Sequence, residues 1–414
     1  MRNPFGTSMS GYVTGDPVLP NDITTRAREL GPLESPVIWW TLAGWTVVLV
    51  TIAVLFWQRR KTRHWATAGA ALCLLLTAVT AVNTYVGYVR TPADLGRLMQ
   101  RGSGVINAAG LLLSGNEPVA NDDAPSTNPK RGTPKTGPVD HPADSRIESV
   151  SIPDPANKVP SGQNFVILPP GYYDPANANR HYPVVYLIHG YPFGGPNDWL
   201  TSGDAPGTLR ALEGDKLISP MIVVSVDMTA GVPSEDWECL NIPGGPQLEN
   251  YLADTVVHTI DQRFRTVADR SGRALGGMSG GGFGALNIGL HHVNEFGTLV
   301  IALPYDDLND SVGVLHGNQP VIRANTPRQY IPTMSFPQKI SVMLAVGTGA
   351  PTDVSTAHRI GTSLEKRGQE VVVHAEHGFN HTWHTARATL PYLLVFADQH
   401  FHAPGSPAGP ASAP

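Results

Sequence analysis

Gly277-Met278-Ser279-Gly280-Gly281 is the segment of this chain best suited to chemistry. It sets a serine among glycines, after the apolar stretch Arg273-Ala274-Leu275-Gly276 and before the helix-like run Phe283-Gly284-Ala285-Leu286-Asn287-Ile288-Gly289-Leu290. That is a G-x-S-x-G pattern in a strand–turn–helix context. A hydroxyl that attacks a carbonyl must project from a sharp turn, so its neighbours cannot crowd the backbone. The helix that follows aims free N–H groups at the place where an oxyanion would form. A pattern this short also arises by chance, as a glycine-rich turn with an idle serine. The partners therefore decide.

Acyl chemistry at a serine needs a base, and an acid that orients the base. On an α/β hydrolase scaffold they follow the serine in the order Ser, acid, His. The base belongs in the loop after the last strand, where His377, His381 and His384 stand. His381 lies in Gly378-Phe379-Asn380-His381-Thr382-Trp383, ahead of the final helix, and is preferred. Alone it reads as an idle loop histidine; its place after the last strand selects it. The acid belongs after the preceding strand. Asp353, in Val346-Gly347-Thr348-Gly349-Ala350-Pro351-Thr352-Asp353, fits, and Glu365 on the following helix is a second candidate. Asp353 also fits a plain helix N-cap. Two backbone N–H groups must hold the oxyanion. Gly280 supplies one, and Tyr191, in His189-Gly190-Tyr191-Pro192 after an early strand, supplies the other. His189 reads as structural. The spacing H-x3-H-x2-H at 377, 381 and 384 lacks the glutamate of H-E-x-x-H, so no metal site is read there. With no P-loop and no dinucleotide fingerprint, no cofactor is expected.

These groups need a scaffold. The sequence has 414 residues, 15% charged and 41% hydrophobic, with a net charge of −5. That balance argues against a nucleic-acid partner, which would favour a basic domain. Two cysteines, Cys73 and Cys239, cannot make a disulfide framework. Two uncharged apolar stretches, 37–57 and 65–89, are long enough to span a bilayer. The basic loop 58–64, Gln-Arg-Arg-Lys-Thr-Arg-His, stays cytoplasmic by the positive-inside rule, which puts both termini outside. Trp39, Trp40, Trp57 and Trp65 suit interfacial anchoring. A pair of buried core helices is the alternative.

The chain thus divides into an external tail (1–36), a transmembrane hairpin (37–89), a juxtamembrane segment and Pro-rich linker (90–146), a catalytic domain (147–402) and a disordered tail (403–414). A short helix is expected around 93–101. Within 147–402, strands are expected at 148–152, 164–168, 184–188, 221–226, 273–276, 297–303, 340–346 and 370–376. Helices are expected at 248–264, 357–366 and 385–400. Continuous apolar strands alternating with helices predict an α/β fold, a mostly parallel sheet covered on both faces.

The residues resemble the esterase D-like family of α/β hydrolases, which includes S-formylglutathione hydrolases, feruloyl esterases and actinobacterial mycolyltransferases. The resemblance covers about 147–400. It rests on Leu168-Pro169-Pro170-Gly171-Tyr172-Tyr173, Tyr182-Pro183-Val184-Val185-Tyr186-Leu187-Ile188-His189-Gly190, Asn197-Asp198-Trp199, the Ser279 segment with Phe283-Gly284-Ala285-Leu286, and His381-Thr382-Trp383. It implies a triad of Ser279, His381 and an acid, with Tyr191 and Gly280 as oxyanion donors. Asp198, Trp199 and Trp383 are candidate substrate neighbours by position alone. Two departures stand out: Gly280 replaces a common Met or Leu, and Ala350 stands where many esterases carry the acid. The mycolyltransferase branch places a glutamate about a dozen residues after a similar turn, which matches Glu365. The resulting expectation is a membrane-anchored serine esterase acting on ester, acyl-lipid or acyl-glycan substrates. The rivals are an acyltransferase working on envelope glycans and a hydrolase-like domain that only binds.

Overall fold

The computed structural model describes residues 15–96, 146–160, 162–192 and 194–401, leaving aside the side chains of Asn309 and Asp310. Residues 114–145 of the expected linker and the tail 403–414 lie outside these. The helix expected around 93–101 is helical over 92–96, and its remainder also lies outside. The chain forms two compact units, residues 1–29 with 145–414, and residues 30–144.

The larger unit is built on one eight-stranded sheet in the order β1-β2-β4-β3-β5-β6-β7-β8. The strands are β1 (Arg146–Ser151), β2 (Gln163–Leu168), β3 (Val184–Ile188), β4 (Ile222–Val226), β5 (Arg273–Met278), β6 (Thr298–Ala302), β7 (Ser341–Gly347) and β8 (Glu370–Glu376). β1, β2 and β4 pair antiparallel, while β4, β3, β5, β6, β7 and β8 run parallel. Strands β3, β4, β5 and β6 are buried at every position. Burial on both faces is why they read as unbroken apolar runs rather than alternating ones. The parallel register brings the C-terminal ends of β3, β5, β7 and β8 to one edge, where ligands bind in open α/β sheets.

Helix α1 (Asn21–Arg28) belongs to this unit, with Ile23 and Ala27 only 3% and 7% exposed. Part of the segment expected as a short external tail thus packs on the domain. In the smaller unit, α2 (Pro36–Leu55) and α3 (Arg60–Val86) form an antiparallel pair. Both are long and apolar enough to cross a membrane, and only 6% and 11% of their most apolar windows are buried. Core helices would be mostly buried. At the open end of this pair, Asn83 Nδ2 donates to the carbonyls of Leu33 and Val89, and Arg90 pairs with Glu34. The hairpin's two ends thus meet.

The remaining long helices of the larger unit are α4 (Ala205–Gly214), α5 (Val257–Arg263), α6 (Gly280–His291), α7 (Pro351–Glu365) and α8 (Trp383–His400). A π-helical turn, Tyr251–Val256, leads into α5. α7 starts six residues earlier than expected. Pro351 takes its first helical position, where the missing N–H costs nothing.

Candidate active site

β5 delivers Ser279 directly onto the N-terminus of α6. The serine holds φ 56° and ψ −120°, a strained conformation for a residue with a side chain. The close approach of neighbouring backbone explains Gly277 and Gly281. A Cβ on Gly281 would lie 2.2 Å from the His189 carbonyl oxygen. Gly280 opens α6, where the first N–H groups have no intrahelical acceptor and are free to face an anion.

Three expected residues meet at the carboxyl edge of the sheet. His381 Nε2 lies 2.8 Å from Ser279 Oγ, and His381 Nδ1 lies 2.6 Å from Asp353 Oδ2. The His381 side chain is 39% exposed, so water reaches the site, while that of Asp353 is 16% exposed. Asp353 lies in the first turn of α7 and Glu365 is that helix's last residue, exposed to solvent. At the rise of an α-helix they stand about 18 Å apart. The geometry brings Asp353, not Glu365, to the histidine. α7 is itself held in place: Arg359 reaches Asp306, which also pairs with Arg328, and these cations outweigh burial to keep the Asp306 carboxyl below its ordinary range.

Tyr191 and Gly280 line one pocket with Gly281, Asp236, Trp237 and Glu238. His189 is buried beneath it, with Nε2 accepting from the Met228 N–H. His384 is also buried, beside Arg387, and takes no part in the Ser279 cluster.

Asp198, Trp199 and Trp383, expected at the substrate, are 2%, 0% and 5% exposed. Trp199 donates through Nε1 to the Ile188 carbonyl and meets Trp383 edge-on at 5.3 Å. Asp198 accepts from the Gly195 N–H. These side chains brace the loops from within. Aromatics that look like recognition groups in a sequence are as readily packing groups.

Glu238 was not singled out by the sequence. It is 5% exposed, and the Tyr305 hydroxyl donates to it at 2.6 Å. Ser311 Oγ lies 2.8 Å from Glu238 and 2.9 Å from Asp236. Burial, and then the neighbouring Asp236, push the Glu238 carboxyl up to about 8, against the two hydroxyl hydrogen bonds. The available signal was the acidic run Glu235-Asp236-Trp237-Glu238, which reads first as a solvated loop. A carboxyl with a raised folded pKa costs stability once pH passes its unfolded value. The cost grows between the ordinary 4.5 and about 8 and is constant above that. Glu238→Gln keeps an acceptor for Tyr305 and removes the charge. It is expected to raise Tm by several degrees at pH 9 and to leave it unchanged at pH 4, as read by thermal melts at the two values.

The family described as "Putative esterase" matches residues 162–392, more than half of the chain. The chain belongs to this esterase family. An uncharacterised protein of Corynebacterium glutamicum is 34% identical over 137 residues, covering 33% of this chain and 31% of that protein. An esterase of Mycobacterium tuberculosis is 31% identical over 141 residues, covering 32% of this chain and 26% of that protein. The chain thus spans about a third or less of the length of these relatives. A solved ferulic acid esterase aligns with a TM-score of 0.53 at 21% identity, covering 63% of this chain and 99% of the other. At that identity the likeness speaks for the fold, which is that of the α/β hydrolases.

Proposed function

We propose that this protein is a serine esterase, held at a membrane by its helical hairpin, that cleaves carboxylic esters through an acyl-enzyme on Ser279. The carrying observation is the continuous hydrogen-bonded path from Ser279 Oγ through the His381 ring to Asp353, at 2.8 and 2.6 Å. Ser279 Oγ attacks the ester carbonyl while His381 Nε2 takes its proton. Asp353 accepts from Nδ1–H, fixing the tautomer and stabilising the imidazolium. The N–H groups of Gly280 and Tyr191 receive the oxyanion. His381 then returns the proton to the leaving alcohol, and water, activated by the same ring, releases the acid. The solvent exposure of His381 gives water access to the acyl-enzyme.

The membrane part of the reading rests on α2 and α3 and on the charges between them. Arg59, Arg60, Lys61 and Arg63 favour a cytoplasmic turn, which sets the catalytic unit on the opposite face. Residues 16–28 pack on the catalytic unit ahead of the hairpin in the chain, and the sheet follows it. Both hairpin ends then lie on one side, as two crossings require.

The full chain in detergent micelles, treated with a fluorophosphonate probe, is expected to carry one adduct on Ser279 and to release acid from p-nitrophenyl acetate. Adding a polyol acceptor is expected to leave the product as free acid. Acylated polyol as the main product would replace hydrolysis by transfer. An unlabelled Ser279 in folded protein would overturn the enzyme reading.

A further inference from the structure

The triad's acid and base arrive on two loops that form one corner. The Glu376 carbonyl, at the end of β8, accepts from the Thr348 N–H at 2.8 Å. Thr348 Oγ1 accepts from the Gly378 N–H at 2.8 Å, and the Phe379 carbonyl accepts from the Gly349 N–H at 2.7 Å. The backbones are pressed so close that a Cβ on Gly347 would lie 2.2 Å from the Phe379 carbonyl oxygen. One loop continues to Asp353 and the other to His381. A displacement of the corner is a displacement of both.

The corner hangs on a buried carboxylate. Glu376 is 3% exposed and its charge is met from two sides. His374 Nε2 lies 3.4 Å from it within β8, and Arg28 Nη2 lies 2.7 Å from it, reaching in from α1. Asp16 holds the other face of the same histidine, 2.8 Å from Nδ1, and the ring stacks on Tyr392 of α8 at 3.9 Å. Burial opposes a charge on His374, but Asp16 and Glu376 outweigh it and push the ring up to about 9. Glu376 is held below its ordinary value for the matching reason: His374 and Arg28 outweigh burial. Ile23, Thr24 and Ala27 fill the space between these two ionic ends, against α8 and α4.

We propose that residues 16–28 are a positioning strap. Asp16 and Arg28 act through His374 and Glu376 on the corner that carries Asp353 and His381, so the triad closes fully only when the segment ahead of the membrane hairpin is docked. The proposal rests on the serine-esterase reading for its catalytic consequence and on the ionic contacts for its structural one. Taking Arg28 away leaves a buried carboxylate short of a partner, a costly arrangement. The corner relieves it by loosening, and small misplacements of catalytic groups carry large rate penalties.

The test compares full-length wild type, Arg28→Gln, Arg28→Lys and Asp16→Asn in micelles. Arg28→Gln is expected to lower kcat for p-nitrophenyl acetate roughly 10- to 100-fold with KM unchanged. It should shift the limb of the kcat/KM pH profile that reports His381 and speed amide exchange in 348–353 and 377–381. Asp16→Asn should act in the same direction more weakly, and Arg28→Lys should recover part of the loss. Wild-type kcat, pH profile and exchange in Arg28→Gln would overturn the strap. So would exchange that quickens evenly across the sheet with an unmoved pH profile, which marks plain destabilisation. A wild-type protein that turns over no ester would sink the esterase reading instead, and the exchange pattern would still decide the strap.

Discussion

Ser279→Ala is expected to abolish ester turnover, with kcat falling by something on the order of 10^4- to 10^6-fold, while the domain stays folded. The size follows from how the parts depend on one another. Without the Oγ there is nothing for His381 to deprotonate, so the base and Asp353 lose their purpose together. What survives is the help that the Gly280 and Tyr191 N–H groups give to direct attack by water. Folding should be spared because the serine side chain is only partly buried and accepts no backbone cap. The variant removes one oxygen from a residue at φ 56°, and alanine suffers that strain no worse than serine does. The check is kcat for p-nitrophenyl acetate, alongside near-UV circular dichroism and a thermal melt. Undiminished turnover in the variant would sink the nucleophile assignment. Lost turnover with lost structure would call for Ser279→Cys, whose thiol restores a nucleophile at the same place.

The parts of this protein that read directly from the chain share a physical cause. β3 and β8 fall on the expected residues because each is a short apolar or β-branched run bounded by breaking residues. The strand–turn–helix around Ser279 falls where its glycines put it, because a tight turn between a strand and a helix leaves glycines behind it. The strap was hidden for the opposite reason. Only Ile23, Thr24 and Ala27 are buried in α1, too few to mark it among charged neighbours, and its ionic partners lie 348 and 358 residues away. The burial of Trp199 and Trp383 was not legible, because a sequence shows an aromatic but not which way it faces. Glu238 shows the same blindness in a charged side chain, since an acid in a loop is normally solvated.

The identity of the acid is where tertiary geometry adds most, and it yields the second large effect. Asp353→Asn is expected to lower kcat by roughly 10^4-fold, whereas Glu365→Gln should leave kcat and KM unchanged. The amide is nearly isosteric with the carboxylate, so the Asp353→Asn side chain keeps its place in the first turn of α7. Its NH2 group, however, donates where the carboxylate accepted. His381 Nδ1 must then accept instead of donate, which moves the ring proton to Nε2 and turns the base away from Ser279 Oγ. The imidazolium that forms during attack also loses its counter-charge. Nothing comparable follows at Glu365, which stands exposed at the far end of the same helix. Spacing along the chain left both acids open, because a turn followed by a helix places one acid at the first turn and another at the last. Only the helix axis separates them: α7 points its N-terminus at the site and carries its C-terminus away. A large loss in Glu365→Gln with little in Asp353→Asn would require α7 to be displaced by about 18 Å, most of its own length. That would overturn the site as described. Parallel losses in both would instead mark damage to α7 as a whole.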